Sequence, residues 1–157
     1  MRMFIPLSPT HVQELAAIGQ LAGPLEGVIP NDAFAQWIES DDPEDMEFAA
    51  LSRAGDLALL LAETNQRIVA VVDVDVDVDG LEISDEPAGT AFLADLSSGQ
   101  IASLHVDDAS NKAVIADARK ALASDDDSGE AELTAVDDCD LLWFDALELA
   151  DVAASLS

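Results

Sequence analysis

The pair His105 and Asp107 offers the first candidate chemistry in the chain. Both lie in the segment 105–108 (HVDD), where a predicted strand leads into a predicted helix, a position at which open α/β sheets often carry their sites. Because side chains alternate along a strand, His105 and Asp107 should point the same way and could bind a divalent metal or transfer protons. A catalytic zinc site needs a third protein ligand. The preferred interpretation is therefore structural, with Asp108 capping the helix.

A calcium loop in the middle of the chain is a second candidate. Its acids stand at the spacing of EF-hand ligands, with Gly80 at the turn position: Asp75, Asp77, Asp79 and Glu86. An EF-hand loop needs a helix on each side, but a β-branched run precedes this one and Pro87 follows it. Carboxylates two apart on a strand lie roughly 7 Å apart and parallel, whereas calcium ligands converge at about 2.5 Å. Specific calcium binding is therefore disfavoured.

Cys139 suggests nucleophilic chemistry, with His11 or His105 as the base. The carboxylates around it at 137–140 (DDCD) should raise the thiol pKa, because they repel the thiolate. The sequence also lacks a Gly-x-Ser-x-Gly elbow, a phosphate loop, Gly-x-Gly-x-x-Gly and Cys-x-x-Cys. We therefore predict no catalytic residue and no cofactor, and enzyme activity has no support in the sequence.

Net charge is the strongest property of the composition. The chain has 33 acidic and 6 basic residues, and its formal net charge is −27. Nucleic acid and anionic membranes are excluded as direct partners, since both bind through lysine and arginine. Three origins of the acidity stay open: a docking surface for a basic protein, an adaptation to high salt, or simple solubility. The first predicts a non-enzymatic interaction module, and a metal-binding protein or small enzyme centred on His105 and Asp107 is the alternative.

Valine and aspartate alternate in the central stretch 71–80 (VVDVDVDVDG). Since side chains alternate faces along a strand, the valines should point inward and the aspartates outward. The predicted strand starts in the apolar residues 67–71 and ends at Gly80. Its outer face would carry an anionic row that contacts a basic partner and discourages strand pairing with another chain: Asp73, Asp75, Asp77 and Asp79.

The remaining pattern predicts helices and strands in alternation. In the first half we expect a strand at 2–7, a helix from a Thr10–Gln13 capping box to Gly19, a loop over 20–30, a short helix from Asn31 and a helix over 43–63 capped by Asp42. In the second half we expect a polar loop to 88, strands at 90–94, 101–106 and 141–144, helices at 109–122 and 149–156, and a mobile acidic loop at 123–130. The predicted fold is one α/β domain spanning 1–157, with a mixed sheet of about five strands covered by amphipathic helices.

The apolar and aromatic residues indicate the cellular compartment of the protein and the residues of its core. No apolar run approaches the ~18 residues of a membrane span, and the segment 1–7 lacks the apolar core of a secretory signal. A single cysteine agrees with a reducing compartment, so we expect a cytoplasmic protein of unspecified oligomeric state. Trp37 and Trp143 could anchor a partner, since large aromatic residues concentrate at interface hot spots. In a chain with 4% aromatic residues, however, both tryptophans are expected to fill the core.

Four short segments carry a resemblance to a known family: 1–7 (MRMFIPL), 45–50 (DMEFAA), 105–108 (HVDD) and 141–144 (LLWF). On these segments the chain resembles a family of small acidic actinobacterial proteins of unknown function. The resemblance implies a cytoplasmic single-domain protein from a high-GC bacterium, and it brings no activity, cofactor or catalytic residue. The valine–aspartate alternation is longer here than in the family pattern, so the resemblance does not imply a calcium role for it.

Overall fold

The computed structural model describes residues 1–61, 65–75, 77, 80–84, 86–123, 134–136 and 138–156. Its strands are β1 (Arg2–Leu7), β2 (Gln20–Val28), β3 (Ile68–Asp73), β4 (Leu81–Ser84), β5 (Thr90–Ser97), β6 (Ile101–Asp107) and β7 (Leu141–Asp145). Its α-helices are α1 (Pro9–Ile18), α2 (Asp32–Ile38), α3 (Pro43–Ala58), α4 (Lys112–Ala123) and α5 (Leu149–Ser155). The α/β prediction is confirmed at this level.

The strands form a seven-stranded sheet in the order β4-β5-β2-β1-β3-β6-β7. All neighbouring pairs are antiparallel. The predicted mixed sheet of about five strands is therefore wrong in both number and direction. The two missed strands are β2, which contains turn-forming glycines and a proline, and β4, whose side chains are only partly covered.

Strand β2 occupies the region predicted as a loop. Its pairing with β5 shifts register between Ala22 and Leu25, so Gly23 and Pro24 form an irregularity in the ladder without ending the strand. A Cβ at Gly23 would collide with the carbonyls of Leu93 and Ala94. Glycine therefore permits the close approach of β5, where the sequence pattern indicated only a chain break.

Helices cover both faces of the sheet. Helices α1 and α5 share one core with the sheet through residues such as Val12, Leu15 and Val152. On the opposite face, α2 and α3 bury Phe34, Ala50 and Ala54. The sheet interior is therefore apolar on both sides, as the unbroken apolar run in β3 indicated.

Several predicted helix ends are confirmed and others move. Asn31 and Asp42 cap α2 and α3 as predicted, but α3 ends at Ala58 instead of 63. The cap of α1 is Ser8 in place of Thr10: its hydroxyl accepts a bond from the His11 amide, and its own amide donates to the His11 ring.

Apart from β4, and from β5, which extends to Ser97, the second-half elements follow the prediction closely. Asp108 caps a 3-10 turn, Ala109–Asn111, that leads into α4, and the hydrogen bonds that Asp108 accepts from the Ser110 backbone and side chain lower its pKa. Strand β7 and helix α5 match the predicted strand and helix near the carboxyl end. Of the predicted mobile loop at 123–130, all but Ala123 lies outside the described residues. No helix within the described ranges is long and apolar enough to cross a membrane.

The central strand is shorter than the valine–aspartate pattern predicts. Strand β3 ends at Asp73, and Val74 closes the ladder through two backbone bonds with Met1. The Asp75 carboxylate then accepts a 3.0 Å bond from the Asp77 amide, which bends the chain into a turn. Aspartate's preference for such local bonds overrides the alternation here.

Candidate functional site

Asp107 belongs to a buried ion pair with Arg67. The Asp107 side chain is fully buried, and the guanidinium reaches its two carboxylate oxygens from Nε and Nη2, each at 2.8 Å. The Arg67 amide donates a third 2.8 Å bond to the same carboxylate, and Nη2 also donates to the Cys139 carbonyl. This network ties the start of β3 to the end of β6 and to the chain before β7.

His105 lies on the same side of β6, two residues away from Asp107, but in a different setting. It stands opposite Val69 on β3 and Trp143 on β7, and its Nε2 atom is 3.4 Å from the Ser103 hydroxyl. Burial lowers the His105 pKa from its ordinary value, which favours the neutral ring. Because Arg67 binds both oxygens of Asp107, the imidazole and this carboxylate do not form a joint ligand pair.

A cleft opens above His105, between helix α3 and the strands β6 and β7. Its volume is about 350 Å³. We call it the aromatic cleft and define it by the side chains that line its walls and floor: Arg2, Glu44, Glu47, Phe48, His105 and Trp143.

Helical spacing and strand register build this cleft. Residues 44, 47, 48 and 51 are three or four apart, so they share one side of α3. The floor is a set of cross-strand neighbours on one face of the sheet, in which Phe4 stands opposite Val71 and His105 opposite Trp143. Among the described residues, helix α3 and the sheet therefore supply the lining of the cleft.

Large aromatic surfaces are exposed in the aromatic cleft. Phe48 is 73% exposed and Trp143 is 61% exposed. Trp37, on α2, is 60% exposed as well and lies 5.4 Å beneath the Arg53 guanidinium. The expectation that both tryptophans fill the core is therefore wrong, because the described core consists mainly of aliphatic side chains.

Charged groups surround the aromatic surfaces. Arg2 pairs with Glu47 at 3.1 Å on the exposed wall of the cleft. Asp73 stands directly opposite Arg2 in the β1–β3 ladder, so the acidic end of β3 adjoins the cleft. Asp73, Asp75 and Asp77 are all exposed. We call these three residues the acidic row.

The acids of the calcium pattern are arranged around two separate turns. Asp75 and Asp77 share the turn after β3, whereas Glu86 follows β4 and its amide bonds to the Ser84 hydroxyl. Asp79, the fourth acid of the pattern, lies outside the described residues. In the described part of the chain no three histidine, cysteine, aspartate or glutamate side chains are grouped so that they could hold a metal ion.

Cys139 lines a neighbouring lobe of about 470 Å³ that shares Phe48 and Leu51 with the aromatic cleft. Burial, followed by the nearby Asp107 carboxylate, raises the pKa of its thiol, which disfavours the nucleophilic thiolate. His11 lies on α1, against the opposite face of the sheet, and His105 lines the aromatic cleft. The structure therefore does not assemble the cysteine–histidine pair considered from the sequence.

Sequence reasoning missed most of the aromatic cleft. Phe48 lies between acidic residues and Leu51 on the cleft side of α3, off the apolar stripe that contains Ala50 and Ala54. That displacement was the available signal, since an aromatic residue outside the buried stripe indicates a surface with a use. Arg67 carried a weaker signal, because a lone cation at the entry of an apolar strand needs a buried anion.

A family model described as a family of unknown function (DUF6912) matches residues 1–153. The chain therefore belongs to this family. Comparisons with curated proteins and with solved structures gave no match.

Proposed function

We propose that this protein is a non-enzymatic acidic interaction module that binds a basic surface of a protein partner. The observation that carries the proposal is the continuity of two exposed surfaces: the acidic row at the end of β3 adjoins, through the Asp73–Arg2 register, the aromatic cleft. Aromatic side chains dominate the energetics of protein interfaces, and carboxylates choose their partners by charge. Neither surface alone carries the proposal.

Electrostatics narrows the class of partner. A net charge of −27 accelerates encounter with a cationic surface and repels nucleic acid and anionic lipid. In the proposed complex, the acidic row contacts lysine and arginine side chains of the partner. The proposal places the protein in the cytoplasm of an actinobacterium, where the lone thiol of Cys139 stays reduced.

Affinity capture from lysate tests this function. The intact chain is immobilised at physiological salt beside polyglutamate of matched charge, and the retained proteins are compared by mass spectrometry. We expect basic proteins that the chain retains and polyglutamate does not, and that are lost when Asp73, Asp75 and Asp77 are all replaced by asparagine. Recovery of no partner, or only of proteins that both matrices retain equally, contradicts the proposal.

A metal-binding protein or small enzyme centred on His105 and Asp107 is the second candidate. The observation in its favour is the position of His105 on the floor of an open cleft, with its Nε2 atom 3.4 Å from the Ser103 hydroxyl. It ranks second because Asp107 already binds Arg67 through both oxygens. Metal content measured on the purified chain and on His105→Ala tests it: equal content in the two proteins removes this candidate.

A further inference from the structure

The aromatic cleft combines exposed aromatic rings with exposed carboxylates. Phe48 and Trp143 expose their rings there, at 73% and 61%. The α3 wall beside Phe48 also carries the exposed carboxylates of Glu44 and Glu47. An aromatic ring attracts a cation through the negative potential of its face, and a carboxylate attracts the same cation by charge. Both features therefore select a positively charged, partly apolar group.

We infer that the aromatic cleft receives an arginine side chain from a basic segment of the protein partner. This inference rests on the proposed function and names the site and the side chain that it uses. The guanidinium would stack on Trp143 or Phe48 and bond to Glu44, with its aliphatic stem on the apolar floor. Arginine suits this site better than lysine, because its planar, weakly hydrated cation stacks on rings and bonds to carboxylates through a fork of donors.

Two intramolecular contacts show that this chain already uses the same chemistry. Within the cleft, the Arg2 guanidinium pairs with Glu47 at 3.1 Å. On α2, the Arg53 guanidinium lies 5.4 Å from the centre of the Trp37 ring and also donates to the Ala88 carbonyl. Glu47 is thus occupied from inside the chain, which leaves Glu44, one turn earlier on α3, as the carboxylate for the incoming arginine.

Charge and volume argue against other occupants. A second copy of the chain would bring a further charge of −27 to the interface, which disfavours a homodimer at this face. An anionic ligand meets the same repulsion. The volume of about 350 Å³ lies at the low end for small-molecule pockets and suits a long side chain with its flanking backbone.

Two charge-matched peptides test the inference against general electrostatics. One alternates arginine with serine and the other alternates lysine with serine, and both are labelled for fluorescence anisotropy with the full chain at physiological salt. We expect the arginine peptide to bind about two- to fivefold tighter than the lysine peptide, because a planar guanidinium stacks on exposed rings better than an ammonium does and such a contact at an exposed site is worth a factor of this size. General attraction to an acidic surface would not distinguish the two peptides.

Variants of the cleft residues show where the preference for the arginine peptide arises. Trp143→Ala and Phe48→Ala should each bring the ratio of the two affinities close to one. The matched control Leu147→Ala, which removes a 93% exposed side chain outside the cleft, should keep the wild-type ratio. Because Phe48 and Trp143 are largely exposed, both variants should fold, and a thermal melt of each verifies this. If one unfolds, the other and Glu44→Gln, which should weaken the arginine peptide selectively, carry the test.

The outcomes separate the inference from the proposed function. Equal binding of the two peptides by the wild type, or a preference that the two aromatic variants retain, overturns the arginine site while the acidic module stands. Failure of both peptides to bind at physiological salt overturns both. Sedimentation of the free chain as a dimer that Trp143→Ala dissociates would assign the cleft to a second copy and overturn the inference as well.

Discussion

Two neighbouring parts of β6 place charged and aromatic chemistry on the same side of the sheet and use it in opposite ways. At Asp107 the carboxylate is buried, and three bonds from Arg67 satisfy it. Near His105 the cleft is open, and Phe48 and Trp143 expose most of their rings. Loss of either partner of the closed ion pair would leave a buried charge and destabilise the fold, whereas exposed rings beside carboxylates offer binding energy to a partner.

The contrast between the buried ion pair and the open cleft shows that residue type alone does not identify a functional site. Asp107 carries a carboxylate, a side chain that often binds metals or takes part in catalysis. Arg67, however, binds its oxygens, and both side chains are buried. Phe48 is a residue type that usually fills a core, but it lies outside the buried stripe of α3.

Removal of Arg67 should have the largest effect on stability. Arg67→Ala leaves the Asp107 carboxylate buried without its partner, and we expect the free energy of unfolding to fall by about 3–5 kcal/mol. Urea denaturation measures it. The control is Arg2→Ala, which breaks the exposed pair with Glu47 and should cost at most about 1 kcal/mol. Equal losses in the two variants would contradict the structural role of the buried pair.

The two sides of α3 should respond differently to substitution. Ala54 is fully buried against the sheet, so Ala54→Leu should overpack the core and cost about 1–3 kcal/mol. Phe48→Ala, on the cleft side of the same helix, should change the stability by less than about 0.5 kcal/mol. Chemical denaturation of both variants measures this difference, and a larger loss for Phe48→Ala would place that ring in the core.

Salt should stabilise the fold by screening the repulsion between surface carboxylates, and it should leave the buried Arg67–Asp107 pair unaffected. Carboxylates ~7 Å apart repel by roughly 0.6 kcal/mol in water, and salt screens this repulsion. Added sodium chloride should therefore raise the Tm, by about 2–4 °C for each kcal/mol regained. Calorimetry across a salt series checks it. A rise at micromolar calcium or magnesium, where sodium chloride has no effect, would instead indicate a specific divalent site.

The smallest effect should come from His105. Burial lowers its pKa below the unfolded value, so between the two values the unfolded chain binds more protons, and stability is lost as pH falls below about 6.5. The charged groups on the facing elements are Arg2, Glu44 and Glu47. His105→Gln should lose this component, which is measured as the change in urea midpoint between about pH 7.5 and 5.5, relative to wild type. An identical change in both proteins would exclude His105 as its source.

Local signals predicted much of the fold. Caps such as Asp42 and Asp108 and the apolar run of β3 located most helices and strands correctly. Strand β2 was missed because its fit depends on the close approach of β5 at Gly23, a tertiary contact. The assignment of Asp75 and Asp77 to a strand was wrong, because the Asp75 carboxylate accepts a hydrogen bond from the Asp77 amide and the chain turns there.

The candidate site was harder to predict than the fold. The sequence placed His105 and Asp107 correctly on one strand, but the partner of Asp107 is Arg67, forty residues earlier in the chain. The aromatic cleft combines residues from β1, α3, β6 and β7, whose proximity depends on strand order. That order is a property of the whole sheet, so no local pattern could have brought Phe48 next to Trp143.

In the proposed complex, a basic partner binds at the aromatic cleft and the adjoining acidic row. Nuclear magnetic resonance of the isotopically labelled chain, titrated with the arginine peptide at physiological salt, tests it most directly. We predict that the largest shift changes occur at Phe48, His105 and the Trp143 indole N–H, with smaller changes at Asp73. Changes spread evenly over the acidic surface, or largest around α1 and α5 on the opposite face, would contradict the account.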